Sequence, residues 1–146
     1  MKLLAQRVLS SSVLIDNKEV SSIGNGALVL VGFEKEDTPQ TCNSLIQKFI
    51  NYKMFSENEG RMEKTILDIN GDILLVPQVT LVLETKTGNK PSFSEAANPQ
   101  KAEELFNFIA DEIKTLNINK LDLGVFGANM RVILDNDGPV TFYFSN

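Results

Sequence analysis

Residues 27–33 read Ala-Leu-Val-Leu-Val-Gly-Phe, with no polar side chain among them. The run is far too short to cross a membrane, and it lacks the polar alternation of a strand with one wet face. It predicts a strand covered on both sides, by a helix on one and by further core or a partner on the other. The rest of the chain must supply those covers.

Two segments read as helices. Asp37 or Thr38 can cap the first and Pro39 suits its first position, while Cys42, Leu45, Ile46, Phe49 and Ile50 recur at three and four residues as a buried stripe does. Tyr52 and Phe55 close its end or pack after it. The second starts at Asn98 and Pro99, carries Ala102, Leu105, Phe106, Ile109 and Ile113 on one face, and is expected to stop near Asn117.

Strand patterns fill most of the remainder. Residues 3–9 and 13–15 read as strands, with Ser10-Ser11-Ser12 as a bend or polar face between them; Asp16-Asn17-Lys18 turns the chain into residues 19–23. Gly24-Asn25-Gly26 is a tight turn, and Asn58-Glu59-Gly60 reads as another. Residues 66–69 and 73–76 flank Asn70-Gly71, a strong hairpin signal. Residues 79–83, 121–126, 130–134 and 140–144 are further strand candidates, and residues 84–97 form the longest candidate loop. Many strands with two helices imply one α+β domain over residues 1–146, its sheet strongly curved, antiparallel or barrel-like.

Composition narrows the chemistry. The chain has no histidine, one cysteine and a formal net charge of −5. Imidazole-based hydrolytic and zinc sites are excluded, no nucleotide-binding glycine motif is present, and broad nonspecific nucleic-acid binding is disfavoured. Cys42 has no partner for an internal disulfide and sits on the apolar stripe of the first helix, so it reads as a buried free thiol in a reducing compartment, the cytoplasm. Asp68, Asp72, Asp135 and Asp137 could in principle hold a metal, but each stands at a turn where aspartate serves the backbone. No metal or other cofactor is expected.

Three short segments stand out. Pro77-Gln78-Val79-Thr80 interrupts a strand pattern: it is an edge or bulge, or a place where Gln78 and Thr80 meet a ligand. Asn136-Asp137-Gly138-Pro139-Val140-Thr141 sets a rigid corner before the last strand, either a plain hairpin turn or a fixed carbonyl facing a ligand. Phe93, within Pro91-Ser92-Phe93-Ser94, anchors its loop or stacks on an aromatic ligand. Lys48, Lys53, Arg61, Lys64, Lys86 and Lys90 are solvated lysines and arginine or phosphate contacts.

Taken together, Gln6-Arg7-Val8, residues 26–34, residues 52–55, Pro91-Ser92-Phe93-Ser94 and the tail from Asn136 to Thr141 closely resemble the D-aminoacyl-tRNA deacylase family, over nearly the whole chain. The resemblance implies a homodimer with its site at the subunit interface, binding the acceptor end of aminoacyl-tRNA. It implies hydrolysis of the ester between a D-amino acid, or glycine, and the 3′ adenosine, a proofreading step in translation. It places the catalytic region at Gln78, Val79 and Thr80, chirality selection at Gly138 and Pro139 reaching into the opposite subunit, and substrate contacts at Pro77, Phe93, Ala128 and Met130. The tail motif implies a cis Gly138-Pro139 bond.

The sequence departs from the family at Pro77-Gln78-Val79-Thr80, where the usual signature is Ser-Gln-Phe-Thr. Pro-Gln-x-Thr resembles a sister group that removes L-alanine mischarged on threonine tRNA and holds its Gly-Pro in trans; Gly88-Asn89-Lys90-Pro91 leans the same way. The alternatives are therefore L-alanine editing, or a tRNA-binding dimer without activity. Thr80 has no histidine to activate it as a nucleophile. Assistance by the ribose 2′-hydroxyl, with N–H groups near Gln78 and Val79 stabilising the oxyanion, fits the composition better.

Overall fold

The computed structural model describes residues 1–56, 60–83 and 88–145. Its axis is β1 (Lys2–Ile15), which runs unbroken through both of the expected N-terminal strands and the three serines between them. Ser11 fits the sheet interior because its buried hydroxyl donates to the Ile133 carbonyl at 2.7 Å. Asp16 and Asn17, both at positive φ, turn the chain into β2 (Lys18–Ile23). The apolar run is β3 (Gly26–Gly32). β1 pairs antiparallel with β3 through its first half, with β2 through its second, and with the last strand, β6 (Arg131–Ser145), along its whole length.

β4 (Asp72–Pro77) lies parallel to β3, and β5 (Lys120–Leu123) parallel to β4. The order is β2-β1-β3-β4-β5, with β6 on β1. At the ends of that order, Ser22 N–H donates to Asp122 Oδ2 at 2.8 Å and Lys120 reaches the Ser22 carbonyl. The sheet is thereby curled into a nearly closed barrel. The α+β class, the barrel-like curvature and the two helices match the sequence reading, with strand directions mixed.

α1 (Pro39–Ile50) is capped by Thr38, whose side chain accepts from Thr41 N–H in a reciprocal capping box. α2 (Pro99–Lys114) is capped by Asn98 and ends slightly earlier than expected, at Thr115. Both pack on one side of the sheet, where Ala27, Val29, Val31 and Phe33 join Leu45, Ile46, Phe49, Phe106 and Ile109. Leu28 points the other way, into a second cluster with Val8, Val13, Ile23, Leu74 and Val76. The two-sided burial of residues 27–33 is thus real, and the second cover is the barrel's own interior. Cys42 is buried and free. Tyr52 packs edge-on against Phe142 and Phe144, at 4.8 and 5.1 Å between ring centres.

Three local expectations are corrected. Residues 66–70 are turns, not a strand: Gly71 N–H closes on the Ile66 carbonyl at 3.0 Å, and Asn70 takes φ 46° within that turn. No hairpin forms, because β4 continues into an interior position beside β3. Residues 79–83 are not a strand either, since Val79–Val82 wind into a 3-10 turn that buries Val82. Residues 136–139 do not separate two strands; they form a bulge within the single strand β6. The turn expected at Asn58-Glu59-Gly60 and the first residues of the 84–97 loop, with Lys86, lie mostly or wholly outside the described residues.

Candidate active site

β3 and β4 run parallel, and their carboxyl ends open side by side at Val31 and Pro77. Such ends are favoured sites for ligands in parallel sheets, because the chain leaves them in different directions. Here β3 leaves through Phe33 and Lys35, β4 through Gln78 and Val79, and the segment after β5 returns through residues 126–130. Together with Phe93, Ala96, Ala97 and the start of α2 at Asn98, Pro99 and Ala102, they enclose a largely apolar cleft of about 870 Å³.

Two glycines let the walls meet. A Cβ on Gly32 would stand 2.7 Å from the Gln78 carbonyl oxygen, so only glycine permits the strand end and the Gln78 segment to pack this closely. A Cβ on Gly124 would be 3.1 Å from both Met130 Sδ and Pro77 Cδ. Met130 therefore serves two purposes, lining the cleft and packing against the barrel interior, with its sulfur accepting from Val125 N–H at 3.3 Å.

Of the residues singled out in the sequence, Pro77, Gln78, Val79, Phe93, Ala128 and Met130 all line the cleft. Phe93 is 58% exposed, so it does not anchor its loop. Thr80 lies just beyond the lining, and its hydroxyl accepts a hydrogen bond from Gln78 Nε2. An amide is not a base in either orientation, so this contact orients the hydroxyl without activating it. Gln78 N–H is already committed to the Val31 carbonyl at 2.7 Å. The N–H groups of Val79 and Thr80 open the 3-10 turn and have no partner within it; neither bonds elsewhere among the described residues.

Gly138 and Pro139 do not line the cleft. Gln6 pairs with Thr141 and Val8 with Asn136, so residues 137–140 stand opposite Arg7 alone. Arg7 clamps the bulge: Nε donates to the Asp137 carbonyl at 3.1 Å and lies 2.9 Å from its carboxylate, while Nη1 donates to the Met54 carbonyl at 3.0 Å. Gln6 Nε2 reaches Thr141 Oγ1 at 3.2 Å, and Val140 N–H donates to Asn136 Oδ1 at 3.0 Å. Gly138-Pro139 is cis, as the tail motif implied, and both residues are exposed. Arg7 pairs with Ala27, whereas the cleft begins four residues further along β3 at Val31. At ~3.3 Å per residue the bulge is about 13 Å from the cleft along the strand.

A family model for D-Tyr-tRNA(Tyr) deacylase matches residues 4–145. The chain belongs to the D-Tyr-tRNA(Tyr) deacylase family. It is 45% identical over 141 residues to a D-aminoacyl-tRNA deacylase of Francisella tularensis subsp. holarctica, covering 97% of each chain. It is 41% identical over 141 residues to one of Thermosipho melanesiensis, covering 97% of this chain and 94% of the other. Among solved structures it resembles a c-Myc DNA unwinding element binding protein (TM-score 0.94, 34% identity, 100% and 99% of the two chains). It also shares the fold of a probable eukaryotic D-amino acid tRNA deacylase (TM-score 0.86, 16% identity, 98% and 97%).

The Gln78–Val79 wall of this cleft is the segment at which the sequence resemblance expects the catalytic region. Three of the four aspartates weighed as metal ligands have structural partners. Asp72 accepts from Gly24 N–H at 2.8 Å and Asn119 Nδ2 at 2.6 Å, Asp68 accepts from Thr65, and Asp137 is held by Arg7. Among the described residues, no three His, Cys, Asp or Glu side chains cluster as a metal site would need. Lys35, Asn98, Pro99, Ala102 and Phe126 line the cleft without having been singled out as site residues in the sequence. The parallel pairing of β3 and β4 would have drawn attention to the residues after β3, but the Asn70-Gly71 hairpin signal concealed it.

Proposed function

We propose that this chain hydrolyses the ester between a D-amino acid, or glycine, and the 3′ adenosine of tRNA, proofreading in translation. The observation that carries this is the meeting of Pro77, Gln78, Val79, Phe93 and Met130 in one cleft of about 870 Å³, in a chain of this family. That volume suits a terminal nucleoside with its amino acid. Exposed Phe93 offers the adenine a stacking face, and Met130 and Ala128 offer an apolar wall.

Water adds to the ester carbonyl, charge builds on the carbonyl oxygen, and collapse expels the ribose 3′ oxygen. The neighbouring 2′-hydroxyl of the substrate assists the water, because among the described residues the Thr80 hydroxyl has the Gln78 amide as its hydrogen-bond partner and no base. The N–H of Val79, with that of Thr80 beside it, stabilises the oxyanion; Gln78 N–H is excluded by its bond to Val31. Thr80 and the Gln78 side chain hold the turn in place.

Chirality is read by Gly138 and Pro139 of a second copy. The bulge is exposed, braced by Arg7, and too far from its own cleft to serve it, which supports a homodimer whose cleft is completed across the interface. The main-chain carbonyls of the bulge would hold the substrate amine, so D-substrate turnover needs them, and the same wall would reject an L side chain by clash, a stronger filter than a missing contact. The setting is cytoplasmic, where charged tRNA is found; no described helix is long and apolar enough to cross a membrane.

Pro77, which stands at the cleft wall in place of the family's serine, favours a second reading: editing of L-alanine on threonine tRNA. Release measured with D-tyrosyl-tRNA, glycyl-tRNA and L-alanyl-tRNA separates the two. Loss of the D-substrate and glycine only supports the first, preferential loss of L-alanine supports the second, and no release from any supports a tRNA-binding dimer without activity.

A further inference from the structure

Lys35 is the one charged residue among the described residues that line the cleft. Its main chain is fixed: Lys35 N–H donates to the Glu95 carbonyl at 3.0 Å, Lys101 Nζ reaches the Lys35 carbonyl, and Glu34 bridges to Ala96. Its ammonium, by contrast, enters no hydrogen bond or ion pair with the described residues. The side chain is exposed at the cleft rim, beside the loop that carries Phe93 and the first turn of α2, which contains no acidic residue. Glu34 and Glu36 flank it in the chain, and Asp37 and Glu95 line the same neighbouring hollow; among the described residues the Lys35 ammonium pairs with none of these carboxylates.

An exposed ammonium at the rim of an apolar cleft, in a protein of net charge −5, offers an incoming polyanion an attractive point in a repulsive field. The nucleoside proposed for this cleft arrives attached to one phosphodiester, on its 5′ side, and that group must leave the cleft at its rim. We infer that Lys35 binds the phosphodiester preceding the terminal adenosine, and that this contact makes the cleft prefer aminoacyl-tRNA over a bare aminoacyl nucleoside. The inference rests on the proposed deacylase reading. Lys35 does not touch the reacting atoms; it fixes the position of the chain that carries them.

Lys35→Met keeps the stem and every main-chain bond that Lys35 makes, so folding is preserved. The test compares wild type, Lys35→Met and Lys35→Arg on two substrates: D-tyrosyl-tRNA, and a D-tyrosyl ester of adenosine lacking any phosphate. For the tRNA, Lys35→Met is expected to raise KM about 5-fold with kcat nearly unchanged. It is also expected to lower the slope of log kcat/KM against log salt by about 0.7, the loss of one single-strand phosphate contact. Lys35→Arg should restore most of both. On the adenosine ester the three proteins should be equal. Equal behaviour of Lys35→Met and wild type on tRNA, with the same salt slope, would overturn the inference, as would equal losses on both substrates. If wild type cleaves neither substrate, the deacylase reading fails instead.

Discussion

Arg7 Nε lies 2.9 Å from the carboxylate of Asp137 and donates to the carbonyl of the same residue at 3.1 Å, so one side chain fixes both the main chain and the side chain at the entry to Gly138-Pro139. Arg7 is 14% exposed and Asp137 41%. The carbonyl bonds to Asp137 and Met54 therefore matter more than the partly solvated ion pair. Arg7→Met should cost about 2 kcal/mol of stability and lower D-substrate turnover by loosening the bulge. Asp137→Asn, which keeps both carbonyl bonds, should cost under ~1 kcal/mol. Denaturant midpoints and kcat/KM for the two variants check this; equal effects would place the strength in the ion pair.

Gly32 controls the wall of the cleft. Gly32→Ala should push the Gln78 segment away, because the new methyl would meet the Gln78 carbonyl at 2.7 Å and neither group is on a flexible side chain. A stability loss of about 1–3 kcal/mol is expected from the overpacking. A fall of at least ~10-fold in kcat is expected from displacement of Val79 N–H relative to the substrate. Activity at the wild-type level in a folded Gly32→Ala protein would remove the Val79 N–H from the mechanism.

Thr80→Ala should retain kcat within about 10-fold of wild type, because the hydroxyl supports the turn through Gln78 and has no base beside it among the described residues. A tRNA ending in 2′-deoxyadenosine should instead lose most of its turnover. Complete inactivation by Thr80→Ala with tRNA binding intact would make Thr80 the nucleophile.

Cys42 tests the core. Burial, reinforced by the charge of Asp37, pushes its thiol up to about 11. The raised value means the fold favours the neutral thiol, so its contribution is complete below the unfolded value near ~8.5 and is lost as pH rises through about 11. Relative to Cys42→Val, wild type should lose stability between those limits, as read by denaturant midpoints at each pH. Iodoacetamide at pH 8 should modify Cys42 only in denaturant; rapid labelling of the native protein would contradict its burial.

Much of this was legible locally. Thr38-Pro39 and Asn98-Pro99 announced both helices because a cap and its proline act within one turn, and the unbroken apolarity of residues 27–33 announced a strand covered twice. The Asn70-Gly71 signal was also obeyed, but only to close a turn on Ile66. Which strand β4 joins, and in which direction, depends on the free side of β3, and no neighbouring residue encodes that. Likewise, Gly138-Pro139 looked like a hairpin turn because nothing beside it in sequence reveals Arg7, 130 residues away, holding the bulge inside one strand. Motif resemblance gathered Pro77, Gln78, Val79, Phe93, Ala128 and Met130, and all of them reach the cleft; Lys35, which belongs to no motif, was missed.

The central claim is that one copy supplies the cleft and the other the Gly138-Pro139 bulge. It is tested by mixing two inactive proteins, one disabled at the cleft by Gly32→Trp and one lacking the bulge through deletion of Gly138 and Pro139, with subunit exchange followed by native mass spectrometry. Each mixed dimer would contain one intact cleft facing one intact bulge, so D-tyrosyl-tRNA hydrolysis should return to about a quarter of wild type in a statistical mixture. Mixed dimers that form and remain inactive, or a wild-type monomer that is fully active alone, would contradict the shared site.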